Sequence, residues 1–365
     1  MGSALLALAA LALAVAPEDT GRLSPAPLRA WDVAWMKALV ESDVLEWHPD
    51  ELGGPAVDPV TRAVFAGTRN GLLRAFLPGG EPLWEFQAGA GFAAAPLVHD
   101  GVVYAGSLDG RLYALTAATG KERWRYSSGE EVGSAPLLAE GLAVFATLQD
   151  SVVAVDATSG AWRWHHRRDR REGFTVRGAA RPVSARGLFF VGWSDGFVSA
   201  LEPATGAVQW ERKVAPGTEL IDVDGLAADA HRLYAACFSG VVAALDPSNG
   251  KTLWERKEPG AARLLLADGR LYAVGSQAVV ALEPEGGGRL WRHAYAGGGP
   301  TGAPVRTGSR LAVPTGRSLL LLDPGSGRLV RSLDPGSGVS APPAWLGRRA
   351  YVLSNAGVLL ALDLP

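Results

Sequence analysis

Short apolar segments separated by turn residues follow one another along most of the chain. A representative stretch contains three of them, at residues 134–138, 141–146 and 152–155. A five-residue turn, 156–160, follows them and ends in a glycine suited to positive φ, and Trp162 opens a fourth segment. Segments of about five residues joined by short turns are typical of antiparallel hairpins. The pattern therefore predicts a sheet of four antiparallel strands.

This four-strand unit is repeated along the chain. Five eleven-residue windows begin with Ala, carry Gly at the seventh position and end with Trp; they lie at 114–124, 154–164, 200–210, 244–254 and 281–291. Counted from Trp84, the steps between these tryptophans are 40, 40, 46, 44 and 37 residues. A period of about 40 residues with four strands in each unit is the signature of a β-propeller blade.

The number of units predicts an eight-bladed ring. Seven units carry an aromatic residue in the second strand: Phe65, Tyr104, Phe145, Phe190, Tyr234, Tyr272 and Tyr351. An eighth unit lies between the last two and has Val330 where the tryptophan is expected. The last unit has no outer strand, and an open sheet edge is prone to aggregation. We therefore expect segment 31–39 to supply that strand and close an all-β, eight-bladed propeller.

The repeated tryptophans have a structural explanation. Neighbouring blades of a ring leave wedge-shaped gaps, and a large flat indole fills such a gap while its N–H reaches a backbone carbonyl. Periodic aromatic residues in a repeat protein normally belong to its core. We expect these residues to join blades rather than to bind a ligand.

The first residues form a separate segment. Residues 5–16 are an unbroken apolar run, shorter than the roughly 20 residues that span a bilayer but of the length found in signal peptides. No Lys or Arg precedes the run, so an uncleaved tail or a core helix is the alternative. We expect a signal peptide at 1–16, a linker at 17–30 and one propeller domain at 31–365. No cysteine directly follows the run, so the sequence predicts no lipoprotein attachment site.

The charge balance excludes general nucleic-acid binding. The chain has 35 Lys plus Arg against 37 Asp plus Glu, whereas proteins that bind nucleic acid non-specifically need a surplus of basic residues. The single cysteine, Cys237, excludes an internal disulfide and a Cys-based metal cluster. We expect no cofactor and no metal.

Two local motifs resemble functional sequences. Residues 192–196 match a nucleophile elbow around Ser194, but they align with the hairpin turn of other units. His165 and His166 stand beside several arginines. We interpret this stretch as a solvated basic loop or as a patch for an acidic partner or anionic lipid.

The repeat itself resembles the tryptophan-docking repeat of PQQ-type propellers, over residues 54–365. Two branches of that superfamily are relevant. Quinoprotein dehydrogenases are longer and hold PQQ with calcium and a disulfide between adjacent cysteines, which this chain lacks. The other branch is the BamB family, periplasmic scaffold subunits of the outer-membrane β-barrel assembly machinery.

Two features of the chain resemble the partner-binding motifs of the BamB family. One is a hydrophobic-x-hydrophobic-Arg-Gly segment, 174–178, and the other is an Asp-x-Asp pair, 222–224, entering the next blade. They coincide with the two longest steps of the repeat. The resemblance implies contacts with the barrel-inserting partner BamA by Phe174, Val176, Arg177, Asp222 and Asp224. The structural alternative is a pair of longer loops with solvated charges, and Phe174 and Val176 stand where the family favours leucine.

The resemblance to the BamB family implies a non-catalytic scaffold in the periplasm, associated with the outer membrane. Its partner is expected to be a BamA-like assembly protein, and the chain itself is expected to be a monomer. Two alternatives remain open at this point. One is a PQQ-binding quinoprotein enzyme or cofactor sensor, and the other is a propeller that serves a different envelope complex.

Overall fold

The computed structural model describes residues 26–27, 31–41, 51–168, 180–214, 222–258, 260–296 and 302–364. Within these ranges the chain forms 33 β-strands in eight sheets. Blade 1 contains β3 (Pro55–Val57), β4 (Val64–Gly67), β5 (Leu72–Phe76) and β6 (Pro82–Gln87); blade 2 contains β7 (Leu97–His99), β8 (Val102–Ser107), β9 (Arg111–Thr116) and β10 (Glu122–Ser127). Blade 3 contains β11 (Leu137–Ala139), β12 (Leu142–Ala146), β13 (Ser151–Asp156) and β14 (Trp162–Arg167); blade 4 contains β15 (Val183–Ala185), β16 (Leu188–Gly192), β17 (Phe197–Leu201) and β18 (Val208–Lys213).

The remaining blades complete the ring. Blade 5 contains β19 (Val223–Ala228), β20 (Leu233–Cys237), β21 (Val241–Leu245) and β22 (Thr252–Lys257); blade 6 contains β23 (Ala261–Ala267), β24 (Arg270–Gly275), β25 (Ala278–Leu282) and β26 (Arg289–Ala294). Blade 7 contains β27 (Val305–Thr307), β28 (Arg310–Pro314), β29 (Leu319–Leu322) and β30 (Leu329–Asp334), with β1 (Ala26–Pro27) added in parallel beside β30. Blade 8 contains β31 (Ala344–Leu346), β32 (Arg349–Leu353), β33 (Val358–Asp363) and, from the N-terminal side, β2 (Asp32–Ala38). The predicted eight-bladed all-β fold is confirmed.

An N-terminal strand closes the ring, as the sequence predicted. Strand β2 pairs antiparallel with β33, from Asp32 opposite Asp363 to Ala38 opposite Val358. Without β2, strand β33 would present an unpaired edge to solvent. The segment therefore completes blade 8 and removes that edge.

Tryptophans join the blades in the expected way. Each indole N–H donates to a backbone carbonyl in the turn before the outer strand of the next blade. The pairs are Trp35 to Pro78 (3.0 Å), Trp84 to Ala117 (2.8 Å), Trp124 to Ala157 (3.3 Å), Trp164 to Pro203 (2.7 Å), Trp210 to Pro247 (3.0 Å), Trp254 to Pro284 (2.9 Å) and Trp291 to Pro324 (3.0 Å). Seven of the eight junctions are made by this contact, which fixes the angle between neighbouring sheets.

Glycine in the receiving turn makes the close contact with the indole possible. Gly160 has a φ of 72°, which L-residues with a Cβ rarely adopt. A Cβ built there would lie 2.6 Å from a ring carbon of Trp124. The glycine at the seventh position of the repeat thus serves both the turn and the tryptophan.

The expectation that Val330 replaces the tryptophan of blade 7 is wrong by one position. Arg331 lies opposite Leu321, as Trp291 lies opposite Ala281. The substitution has a physical reason: blade 8 takes its outer strand from the N-terminal side, so it has no turn that could receive an indole. The Arg331 guanidinium instead lies over the ring of Trp31, at 4.3 Å.

A largely buried ion pair between Arg69 and Glu51 also links the blades where the ring closes. Arg69 donates from its backbone N–H and from Nη1 to the carboxylate of Glu51, each at 2.9 Å. The same Nη1 donates to the carbonyl of Asn355 in blade 8, whose side chain donates to Gly316 in blade 7. Burial raises the pKa of Glu51, and Arg69 opposes this. The network links blades 7, 8 and 1.

In the part of the chain that the structure describes, no helix is long and apolar enough to cross a membrane.

Candidate partner-binding site on blades 4 to 6

The predicted site residues fall in two groups. Phe174, Val176 and Arg177 belong to segment 169–179, which lies outside the described residues. Asp222 and Asp224 are described and lie at the start of inner strand β19 in blade 5. The geometry of the site is therefore known from its blade 5 and blade 6 side.

Asp222 is buried, and its backbone carbonyl makes a hydrogen bond that recurs in other blades. Its carbonyl accepts the N–H of Phe238 at 2.9 Å, as Gly91 does for Leu108 and Glu131 does for Leu148. Because residues with such different side chains make the same bond, the carboxylate of Asp222 is not needed for it. Asp222 is only 2% exposed, whereas Glu131, the equivalent residue of blade 3, is partly exposed. The burial of the acid, and not the acid itself, therefore distinguishes blade 5.

Asp224 is also buried, at 8% exposure, and sits in a β-bulge of β19. Arg263 of blade 6 donates from Nη1 to the Asp224 carbonyl at 2.9 Å and lies 4.0 Å from Oδ1. Among the described residues nothing donates a hydrogen bond to that Oδ1. Burial raises the pKa of Asp224, and the Arg263 charge partly offsets the effect. The expectation of solvated loop charges does not fit these two side chains.

The inner strands of blades 5 and 6 differ from the others. Strands β19 and β23 have six and seven residues, while the other six inner strands have three. Proline begins or directly precedes each short one: Pro55, Pro96, Pro136, Pro182, Pro304 and Pro343. Proline lacks an N–H and limits ladder pairing. Without it, β19 and β23 extend the sheets as far as the acidic pair.

Gly225 allows these two long strands to approach each other closely. A Cβ at this position would lie 2.5 Å from the carbonyl oxygen of Ala262 in β23. Any larger residue would push the inner strands of blades 5 and 6 apart. Together with the Arg263 bond to Asp224, this packing makes the acidic end of β19 a rigid junction between two blades.

Sequence reasoning missed Gly225, Phe238 and Arg263. One feature of the sequence points to the region that holds them: the inner strands of blades 5 and 6 lack the proline that begins or precedes the other inner strands. The contact between Arg263 and Asp224 joins residues 39 positions apart, and such a pairing depends on the blade angle. The structure places Phe238 in the turn directly after β20.

Other groups singled out in the sequence have ordinary surroundings. Cys237 is fully buried, and burial together with the nearby aspartates raises the pKa of its thiol to about 12. Ser194 lies in the β16–β17 turn, as predicted, and donates to the Asp150 carboxylate. Arg167 pairs with Glu130, and Arg168 pairs with Asp195 and Glu211. The described part of the basic stretch is thus partly neutralised.

No metal centre is found in the described ranges, where no group of three His, Cys, Asp or Glu side chains could hold an ion. A cavity of about 450 Å³ lies between blades 2 and 3, lined by residues such as Tyr104, Arg123 and Trp124. Neither Asp222 nor Asp224 lines it. The cavity is therefore separate from the described part of the candidate partner site.

Comparison with known proteins agrees with this architecture. A family model described as outer membrane protein assembly factor BamB matches residues 69–278 and 275–364. BamB of Legionella pneumophila (strain Paris) is 28% identical over 197 residues, 52% of this chain. The match spans about half the length of that relative, 51%.

Solved structures share the fold. BamB from Moraxella catarrhalis superposes with a TM-score of 0.77 and 23% identity, covering 92% of this chain and all of that one. Quinohemoprotein alcohol dehydrogenase from Comamonas testosteroni gives 0.69 and 16%, covering 91% of this chain and 76% of the enzyme. At these identities the structures show the propeller fold alone. The family match over most of the sequence goes further: the chain belongs to the BamB family of outer-membrane protein assembly factors.

Proposed function

We propose that this propeller is a non-catalytic scaffold that binds a BamA-like β-barrel assembly protein at the periplasmic face of the outer membrane. The observation that carries the proposal is the acidic pair, Asp222 and Asp224, at the start of a proline-free inner strand in a chain of the BamB family. Members of the family are named for outer-membrane protein assembly, which supports the class of partner.

Binding by a rigid ring suits this role. The tryptophan contacts and the closing strand hold the blades at fixed angles, so the blades need no rearrangement relative to one another when a partner docks, and little entropy is lost in ordering them. In the proposal Arg177 makes a charge-assisted contact with the partner, and Phe174 and Val176 supply apolar area. Asp222 and Asp224 are buried, so we assign them to the interior of the site, where they set the charge and shape beneath its surface.

An enzymatic role has less support. The similarity to a quinohemoprotein dehydrogenase is a similarity of fold, and folds of this kind host unrelated functions. The adjacent-cysteine disulfide of the enzyme branch cannot form in a chain with one cysteine. Incubation with PQQ and calcium, followed by a visible absorption spectrum, tests the alternative directly, and a stoichiometric cofactor band would favour it.

The experiment that tests the scaffold role is a direct binding measurement. The purified chain is immobilised, and the purified periplasmic region of the BamA-like protein from the same organism is passed over it. The proposal expects saturable one-to-one binding at a salt concentration of about 150 mM, where exposed charges more than about 8 Å apart are largely screened. An unrelated periplasmic domain of similar net charge serves as the control. Equal responses to both proteins, or no response to either, would contradict the proposed function.

A further inference from the structure

Phe238 occupies an unusual position in the ring. It lies at the tip of the turn between β20 and β21 and is 40% exposed. The same position in the other seven blades holds Arg69, Leu108, Leu148, Ser194, Ser276, Gly316 and Asn355. Among these eight described turns, blade 5 alone has an aromatic ring at the tip, and it is also the blade that carries the acidic pair.

The turn that carries Phe238 is held by backbone hydrogen bonds at both of its ends. The Phe238 N–H donates to the Asp222 carbonyl at 2.9 Å. Gly240 donates to Cys237 at 2.8 Å and accepts from the N–H of Glu258 at 2.7 Å. The backbone that carries Phe238 is therefore held in place by the fold. A turn held in this way has little backbone entropy left to lose when a partner binds.

An exposed aromatic ring is the kind of group that forms a binding hot spot. A few aromatic or arginine residues near the centre of an interface contribute much of the binding energy. Here the backbone N–H of Phe238 binds the carbonyl of Asp222, and Arg263 binds the carbonyl of Asp224, so the ring stands at the turn that adjoins the acidic pair. An exposed phenyl ring also loses water when a partner covers it, which favours association.

We propose that Phe238 is a contact residue of the blade 5 site, where it receives an aliphatic or aromatic side chain of the BamA-like partner. This inference rests on the proposed function, since it names the partner of that site. It adds a residue that neither the sequence motifs nor the acidic pair identified. Phe238 contacts the partner, while Asp222 lies directly behind the turn and joins it to the inner strand.

The test compares one substitution at the same turn position in two blades. Phe238→Ala is expected to weaken binding of the partner's periplasmic region by about 10- to 100-fold, the range of a hot-spot truncation. Leu148→Ala in blade 3 is the matched control and is expected to leave the dissociation constant within about twofold. Phe238→Leu keeps apolar area and should restore part of the affinity. Thermal melts of all variants are recorded alongside.

The outcomes separate this inference from the proposed function. If the wild-type chain does not bind the partner, the proposed function fails. If the wild-type chain binds and Phe238→Ala binds equally well, the scaffold role stands and the assignment of Phe238 is overturned. A large drop in melting temperature for Phe238→Ala, in step with the lost affinity, would also overturn it in favour of a role in folding. Weak binding with an unchanged melting temperature supports it.

Discussion

The guanidinium of Arg331 lies over the indole ring of Trp31, 4.3 Å from its centre, at the junction of blades 7 and 8. Elsewhere an indole of one blade docks on the turn of the next. Here the receiving turn does not exist, because the closing strand enters from the N-terminal side. Trp31, the residue before that strand, supplies an aromatic ring, and Arg331 in the outer strand of blade 7 supplies a cation. A cation–π contact therefore stands at this junction in place of the indole-to-carbonyl hydrogen bond.

Removal of the closing segment tests its role in the ring. Deletion of residues 31–39 should expose the edge of β33 and cause aggregation or a marked fall in melting temperature. Size-exclusion chromatography and a thermal melt measure both effects. The control is Met36→Ala, which changes an exposed side chain of the same strand and should leave the protein monomeric and stable. A deleted protein that remains a monomer of wild-type stability would show that β2 does not close the ring.

Two tryptophans in one strand test the docking contact. Trp164 is 4% exposed and donates its N–H to Pro203, whereas Trp162 is 58% exposed. Trp164→Ala is expected to lower the free energy of unfolding by ~3–5 kcal/mol, the usual loss for a buried aromatic. Trp162→Ala should lower it by less than about 0.5 kcal/mol. Urea unfolding measures both, and similar small losses for the two variants would mean that Trp164 is not packed between blades.

Two glycines separate backbone strain from steric contact. Gly160 and Gly141 have nearly the same φ, 72° and 73°. A Cβ at Gly160 would strike the ring of Trp124, while one at Gly141 would meet nothing within 4 Å. Gly141→Ala should therefore lose about 1 kcal/mol from strain alone, and Gly160→Ala should lose clearly more. Equal losses in chemical denaturation would remove the close contact from the explanation.

The raised pKa of Asp224 predicts how stability depends on pH. A carboxyl whose pKa is higher in the folded state binds its proton more tightly there, so its contribution to stability falls as pH rises through the window above its ordinary pKa of about 3.9. Asp224→Asn removes this titration. We expect the variant to be at least as stable as the wild type near neutral pH, and the wild type to gain on it as the pH is lowered.

Urea unfolding of both proteins at several pH values measures this difference. Arg263 is the same in both proteins, and its hydrogen bond to the backbone carbonyl of residue 224 does not need the carboxylate. The comparison therefore isolates the titration of the Asp224 side chain. A variant much less stable than the wild type near neutral pH would show that the fold, and not a partner, requires the Asp224 carboxylate.

The repeat in the sequence was enough to predict the propeller, but it could not predict how the acidic pair is packed. Repeat length, the glycine turn and the tryptophan together determine a blade, so the fold and its closure by 31–39 could be predicted. The burial of Asp222 and Asp224 could not, because it depends on how far β19 and β23 extend and how closely they pack at Gly225. The position of Arg331 was misjudged for a related reason: its meaning depends on a turn that is missing from another blade.

The most direct test of the scaffold account is a charge reversal at Arg177, measured by partner binding and by thermal melt on the same preparation. If Arg177 contacts a BamA-like partner, Arg177→Glu should abolish capture of its periplasmic region, since reversing a charge-assisted contact costs several kcal/mol. The melting temperature should shift little. A folded Arg177→Glu protein with an unshifted melt that still binds the partner at the wild-type level would contradict the account.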